Sequence, residues 1–152
     1  MPLSAIARLR CKLLRIGGTD VQVAPDPYLE DILKRGELFV PEEIQIVRGL
    51  RNRCHRNAAV LWLRGRASAI MTGYYLAIDH VWHQHSWGIT DSGILLDTHC
   101  GGRRYFGVRL EDLQAMVFAE SNYGFREVMR WGDKNPERFA ALVDAARKLI
   151  AS

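Results

Sequence analysis

Three side chains, Cys54, His85 and Asp97, have the types and the chain order that nucleophilic thiol chemistry requires. A cysteine attacks a carbonyl as its thiolate, so its pKa must fall from the ~8.5 of a free thiol. A helix N-terminus, nearby positive charge and a paired imidazole each lower it. Cys54 opens a helix predicted over about 54–64, and Arg51, Arg53 and Arg56 are its sequence neighbours. The imidazole has to be supplied by the fold. All five histidines, His55, His80, His83, His85 and His99, fall in one stretch of the chain. Strands are predicted over 81–90 and 94–98, joined by the turn Thr90-Asp91-Ser92-Gly93. A three-residue loop sets His85 directly opposite Asp97, and a four-residue loop leaves the two diagonal. Opposed side chains on one sheet face are close enough for a carboxylate to hold one imidazole nitrogen, the orienting task of a triad's third member. His80 would face position 102, beyond the expected strand end, so His85 is the better base.

Elements that can position these groups are legible on both sides. Ser4 caps a helix over 4–16, with Ile6, Leu9, Leu13 and Ile16 at helical spacing and Gly17-Gly18 ending it. Pro25-Asp26-Pro27 marks a turn before a short helix near 27–35, closed by Gly36. Pro41-Glu42-Glu43 predicts a further helix-like piece through about Leu50, its acids suiting the helix dipole. Segment 69–78 is apolar and β-prone, and Tyr105-Phe106-Gly107-Val108 predicts another strand. Arg109 to about Glu120 reads as helix, while Phe125 to Trp131 fits strand or helix. Asn135-Pro136-Glu137 starts a last helix with a stripe of Phe139, Leu142, Val143, Ala146 and Ile150. Helices, then antiparallel strands, then helices make an α+β chain. The expected organisation is one domain over 1–152: a helical part to about residue 50, the cysteine helix and strands over 51–108, and C-terminal helices over 109–152.

With 152 residues and 48% hydrophobic content, the chain can fill one core. Three cysteines are an odd number without metal-finger spacing, which favours reduced thiols over a disulfide framework. Cys11 and Cys100 read as small buried hydrophobes. No apolar run approaches the ~18–20 residues of a membrane span, and basic residues interrupt the N-terminal segment, so no signal peptide is expected and the default location is cytoplasmic. Net charge is +4, unevenly spread. Between Glu43 and Asp79 there is no acid, while Arg48, Arg51, Arg53, Arg56, Arg64 and Arg66 fall there. Such a patch can steer an anionic partner. No nucleic-acid module accompanies it, so an acidic peptide or protein is the better partner, with Arg51 and Arg56 as substrate-binding candidates. Trp87, on the strand face of His85, would shield that imidazole from water.

The stretch Cys54-His55-Arg56-Asn57-Ala58 resembles the Cys-x-x-x-Ala helix start of transglutaminase-like enzymes. His85-Ser86-Trp87 is similar to their His-x-Trp strand, and Asp97-Thr98 to the aspartate strand that follows. The resemblance covers about residues 50–100 and extends to the papain-like superfamily generally. Asp79-His80-Val81-Trp82 contains a second His-x-Trp, similar to the peptide N-glycanase branch, and keeps His80 as an alternative base. The resemblance implies a papain/transglutaminase-like core, its nucleophile helix packed on an antiparallel sheet. It further implies thiol chemistry on amide, isopeptide or ester bonds, with no cofactor. Backbone N–H groups at the helix start would stabilise the oxyanion, assisted by Asn52, Asn57 or Gln45.

Two other readings compete. His83 and His85 share one strand face, and Asp97 and His99 share a face of the partner strand, so these four could ligate zinc or iron. Alternatively, a degenerate papain-like fold would act as a binding module through its basic stretch.

Overall fold

The structure, a computed structural model, describes residues 2–99 and 101–151, so Cys100 lies outside the described residues. Helix α1 (Ala5–Ile16) starts where Ser4 Oγ accepts the Ala7 N–H at 3.2 Å, and its helical spacing buries Leu9 and Leu13. Cys11 lies between those two on the opposite side of the helix and is exposed, not buried as expected. The basic side of α1 serves the chain itself: Arg10 donates to Asp20 Oδ1 at 2.9 Å and to the Val21 carbonyl at 2.7 Å.

Among the described residues, seven strands form one curled, half-barrel sheet. They are β1 (Asp20–Gln22), β2 (Glu37–Phe39), β3 (Ile44–Ile46), β4 (Ala69–Leu76), β5 (Val81–Ile89), β6 (Leu95–Asp97) and β7 (Arg104–Leu110). The order is β2-β7-β4-β5-β6-β3, with β1 pairing in parallel to β5. The other helices are α2 (Leu29–Arg35), α3 (Cys54–Leu63), α4 (Asp112–Asn122), α5 (Phe125–Lys134) and α6 (Pro136–Ala151). One sheet face buries Tyr74, Trp82 and Phe106 against α1, α3 and α4; the other carries a smaller cluster of Met71, Tyr75, Trp87, Leu95 and Tyr105.

Three expectations are corrected. The helix-like piece from Pro41 is instead β3 followed by a loop. Its β-branched Ile44 and Ile46 alternate, and the outer edge of β6 offers unpaired backbone groups that outweigh the acidic helix signal. The first 50 residues therefore hold two helices and three strands rather than a helical part alone. In α6, Leu142 and Ala146 are buried, but Ile150 stands in solvent at 71% exposure, one turn past the end of the packed stripe. Helix α5 settles the ambiguous segment: it buries Val128 and Gly132 and half-buries Trp131 while Arg130 stays exposed, the i, i+3, i+4 spacing of a helix and not the alternation of a strand.

Close approach of β7 to β4 depends on Gly73, which pairs with His85 on one side and Gly107 on the other. A Cβ at Gly73 would meet the Phe106 carbonyl oxygen at 2.1 Å and the Gly107 Cα at 2.5 Å. These are backbone atoms that cannot rotate away. Gly73→Ala is expected to lower unfolding free energy by about 3 kcal/mol, read as a fall in the urea midpoint at unchanged slope.

The β5–β6 register also differs in detail from the predicted hairpin. Gly88 pairs with Leu96 and Ile89 with Leu95, so Asp97 falls across from Trp87 and His85 lies diagonal to it. Side-chain parity is the same in both registers, so His85 and Asp97 still share a face.

Candidate active site

Strand β5 has an interrupted edge, and that interruption receives the cysteine. On one side β5 pairs continuously with β4. On the other, β1 covers only Val81–His83 and β6 only Gly88–Ile89. Between them, at Gln84–Trp87, the edge backbone has no strand partner among the described residues. The N-terminus of α3 docks there, placing the Cys54 thiol against the Ser86 N–H and the His85 ring. The first turn of α3 contains no acid, which leaves its positive dipole end to an anion at Cys54 itself.

His85 is 3% exposed and donates from Nε2 to Asp97 Oδ1 at 2.9 Å. An ionised carboxylate only accepts, so Nε2 carries hydrogen, and Nδ1 is the nitrogen left for the thiol. Asp97, fully buried, also accepts from the Tyr105 hydroxyl at 2.7 Å and from the His99 N–H at 2.9 Å. Tyr105 in turn accepts from the Gly102 N–H at 2.7 Å. The carboxylate is thus held at both oxygens, and the imidazole plane with it.

The charges are arranged to match. Burial pushes the Cys54 thiol up, but the His85 hydrogen bond and charge, with the Ser86 and His55 N–H groups, outweigh it and hold the thiol below its ordinary value. Burial alone would push His85 down; Asp97 on one nitrogen and Cys54 on the other raise it to about 9. Burial would raise Asp97 as well, and its bonds to His85, Tyr105 and His99 bring it below the usual carboxylate range. A lowered thiol beside a raised imidazole favours the thiolate–imidazolium form.

The other sequence candidates separate by position. Arg51 and Asn52 line a cleft of about 430 Å³ that Cys54 and His85 share, and Asn52 adopts a left-handed backbone (φ 56°) there. Asn57 also lines it, but its amide is fully engaged. Nδ2 donates to the Leu50 carbonyl at 2.7 Å and to Thr98 Oγ1 at 3.1 Å, while Oδ1 accepts from the Leu50 N–H at 3.0 Å. With both amide hydrogens used, Asn57 pins a loop rather than serving an oxyanion. Gln45 sits exposed on edge strand β3, away from the cleft, and is likewise corrected as a candidate. Arg56 lies over the Tyr123 ring at 4.9 Å, outside the cleft. Trp87 is buried behind His85, its ring stacked on the imidazole at 6.0 Å.

His80 is exposed in the β4–β5 turn with φ 64°, away from the thiol. His83 Nε2 is bonded to Asp79 Oδ2 at 2.9 Å and His99 is exposed. Among the described residues, no group of three or more His, Cys, Asp or Glu side chains is placed to hold a metal ion. Within the set His83, His85, Asp97 and His99, His85 and Asp97 are bonded to each other, and the Tyr75 ring lies 4.5 Å from His85 and 5.8–5.9 Å from the other two imidazoles.

Tyr75 lines the cleft from the His85 face of β4. Gln84 escaped the sequence reading. It lines the cleft while donating Nε2 to Asp26 Oδ2 at 2.7 Å, a contact across 58 positions that no local pattern announces.

Set against known proteins, the chain matches no family model, no curated protein and no solved structure. No helix among the described residues is long and apolar enough to cross a membrane.

Proposed function

We propose that this protein is a thiol-dependent acyl-transfer enzyme, a hydrolase or transferase acting on an amide, isopeptide or ester bond of a peptide or protein. In this reading its curled sheet and cysteine helix form a papain/transglutaminase-like core. A single observation carries the proposal: a partly buried thiol faces an imidazole whose far nitrogen is bonded to a buried carboxylate.

His85 Nδ1 takes the Cys54 proton, and the thiolate attacks the carbonyl carbon. The resulting oxyanion collapses, the C–N or C–O bond breaks, and His85 returns the proton to the departing amine or alcohol. A thioester to Cys54 remains. Water or an amine, deprotonated by His85, then attacks the thioester and releases the thiol. Gln84 Nε2 is engaged by Asp26, so the oxyanion falls to backbone N–H groups at the start of α3. The chemistry requires reduced Cys54, which fits a cytoplasmic setting.

The test is labelling with iodoacetamide near pH 6, where an ordinary thiol is almost wholly protonated. Cys54 is expected to react about 10-fold or more faster than a model thiol, with the modified residue located by mass spectrometry, and Cys54→Ala is expected to lose that label. Reactivity no greater than the model thiol's would favour a binding module on the same fold and end the enzymatic reading.

A further inference from the structure

Beside the cleft lies a second concavity of about 460 Å³ that nothing in the triad chemistry uses. Arg48, Arg56, Arg64 and Arg66 line it, with Val60, Leu61 and Tyr123. It shares Gly49, Leu50 and Asn57 with the catalytic cleft, so the two adjoin. Arg56, Val60 and Arg64 succeed one another at four-residue spacing along one side of α3, and Arg48 faces them from the preceding loop. Arg51 and Arg53 continue the series into the cleft.

No Asp or Glu lines either concavity. Among the described residues, none of these six arginines forms an ion pair, in contrast to Arg8, Arg10, Arg35 and Arg109 elsewhere in the chain. Folding could have cancelled the sequence's acid-free stretch by bringing carboxylates from other elements, and it did not. Guanidinium groups gathered without counter-charge repel one another, and an anionic ligand relieves that repulsion.

We infer that this arginine groove docks an acidic polypeptide segment next to the bond that Cys54 attacks. The inference rests on the acyl-transfer reading for its orientation. Arg53 and Arg64 cap the two ends of α3 and Arg56 lies on it, so the charges spread over the length of its 10 residues, about 15 Å, rather than focusing on one point as a single phosphate would need. An extended chain at about 3.3 Å per residue places four or five residues in the groove. The preferred substrate therefore carries Asp or Glu within roughly five residues of the reacting carbonyl, on the side that leads away along α3. Val60 and Leu61 supply an apolar floor for the stems of those side chains.

The experiment uses the full chain as Cys54→Ser, so binding is read without turnover. A short fluorescein-labelled glutamate-rich peptide, its glutamine counterpart and a single-stranded oligonucleotide of equal charge are titrated by anisotropy. The glutamate peptide is expected to bind about 10-fold or more tighter than the glutamine peptide. The preference should shrink as salt shortens the screening length from ~8 Å towards ~3 Å. Arg64→Glu with Arg66→Glu should abolish the preference, and Arg64→Gln with Arg66→Gln, a gentler change at exposed positions, should reduce it. Equal binding of the two peptides, or tighter binding of the oligonucleotide than of the glutamate peptide, overturns the inference. Iodoacetamide reactivity of wild-type Cys54 is read separately: an unreactive thiol with the peptide preference intact ends the acyl-transfer reading and keeps the acidic-peptide groove.

Discussion

His85→Ala is expected to reduce turnover on the order of 10⁴–10⁶-fold and to move the pH dependence of Cys54 alkylation upward. In the wild type, two of the four influences that lower the thiol come from His85, its hydrogen bond and its charge. Removing them leaves only the Ser86 and His55 N–H groups against burial, so the thiol returns to or above the ~8.5 of a free cysteine. The wild-type turnover profile follows from the same pair. The ascending limb is thiol deprotonation, displaced below its ordinary position. The descending limb is loss of the imidazole proton that the leaving group needs, and His85 holds it up to about 9. The groups titrate as a pair, so the two limbs are macroscopic values of the dyad. The measurement is alkylation rate against pH for wild type and variant. An alkylation profile that His85→Ala leaves in place would mean that another group activates the thiol.

Asp97→Asn carries the second large effect, a loss of about 10⁴-fold in turnover. The reason is a tautomer. Asp97 accepts three hydrogen bonds, from His85, Tyr105 and His99. An asparagine whose oxygen stays on the Tyr105 hydroxyl, at the Oδ2 position, turns its NH₂ group to the Oδ1 position, towards His85 Nε2, and gives up the His99 N–H. That nitrogen must then accept, and the ring proton moves to Nδ1, where it points at the thiol and blocks proton uptake. Tyr105→Phe separates this from mere destabilisation, because it removes one donor to Asp97 but leaves the Nε2 bond. It should lower thermal stability by the equivalent of about 1–3 kcal/mol while reducing turnover far less than Asp97→Asn. Comparable turnover losses in the two variants would contradict the tautomer argument. The acid side has a definite sign too. Asp97 is lowered in the fold, so its contribution to stability is present above the unfolded carboxylate value of ~3.9 and disappears as pH falls through the folded one. Asp97→Asn should lose that part of the acid dependence.

Much of this site could be read from local pattern. Cys54 at a helix start, Gly65 ending that helix with φ 74°, and alternation along β5 all depend on near neighbours in the chain. The shared face of His85 and Asp97 was equally legible, because a two-residue change of register keeps every side chain on its side of a sheet. That is why His85 and Asp97, expected either opposed or diagonal, meet on one surface in the diagonal arrangement.

Other features depended on pairing between distant segments. The edge gap at Gln84–Trp87 exists because β1 and β6 each stop short along β5, and neither strand's reach is written in β5 itself. The Asn57 amide is taken up by Leu50 and Thr98, and the Gln84 amide by Asp26, partners far off in the chain or across a loop. Ile44–Ile46 became a strand because β6 had an edge to offer, against an acidic helix signal. The six arginines show the division most clearly. The amino-acid order determined that they fall in a stretch with no acid. Only the tertiary structure decided that no carboxylate returns from elsewhere to line their groove, because charge neutralisation in a folded chain depends on contacts across space and not on neighbours in sequence.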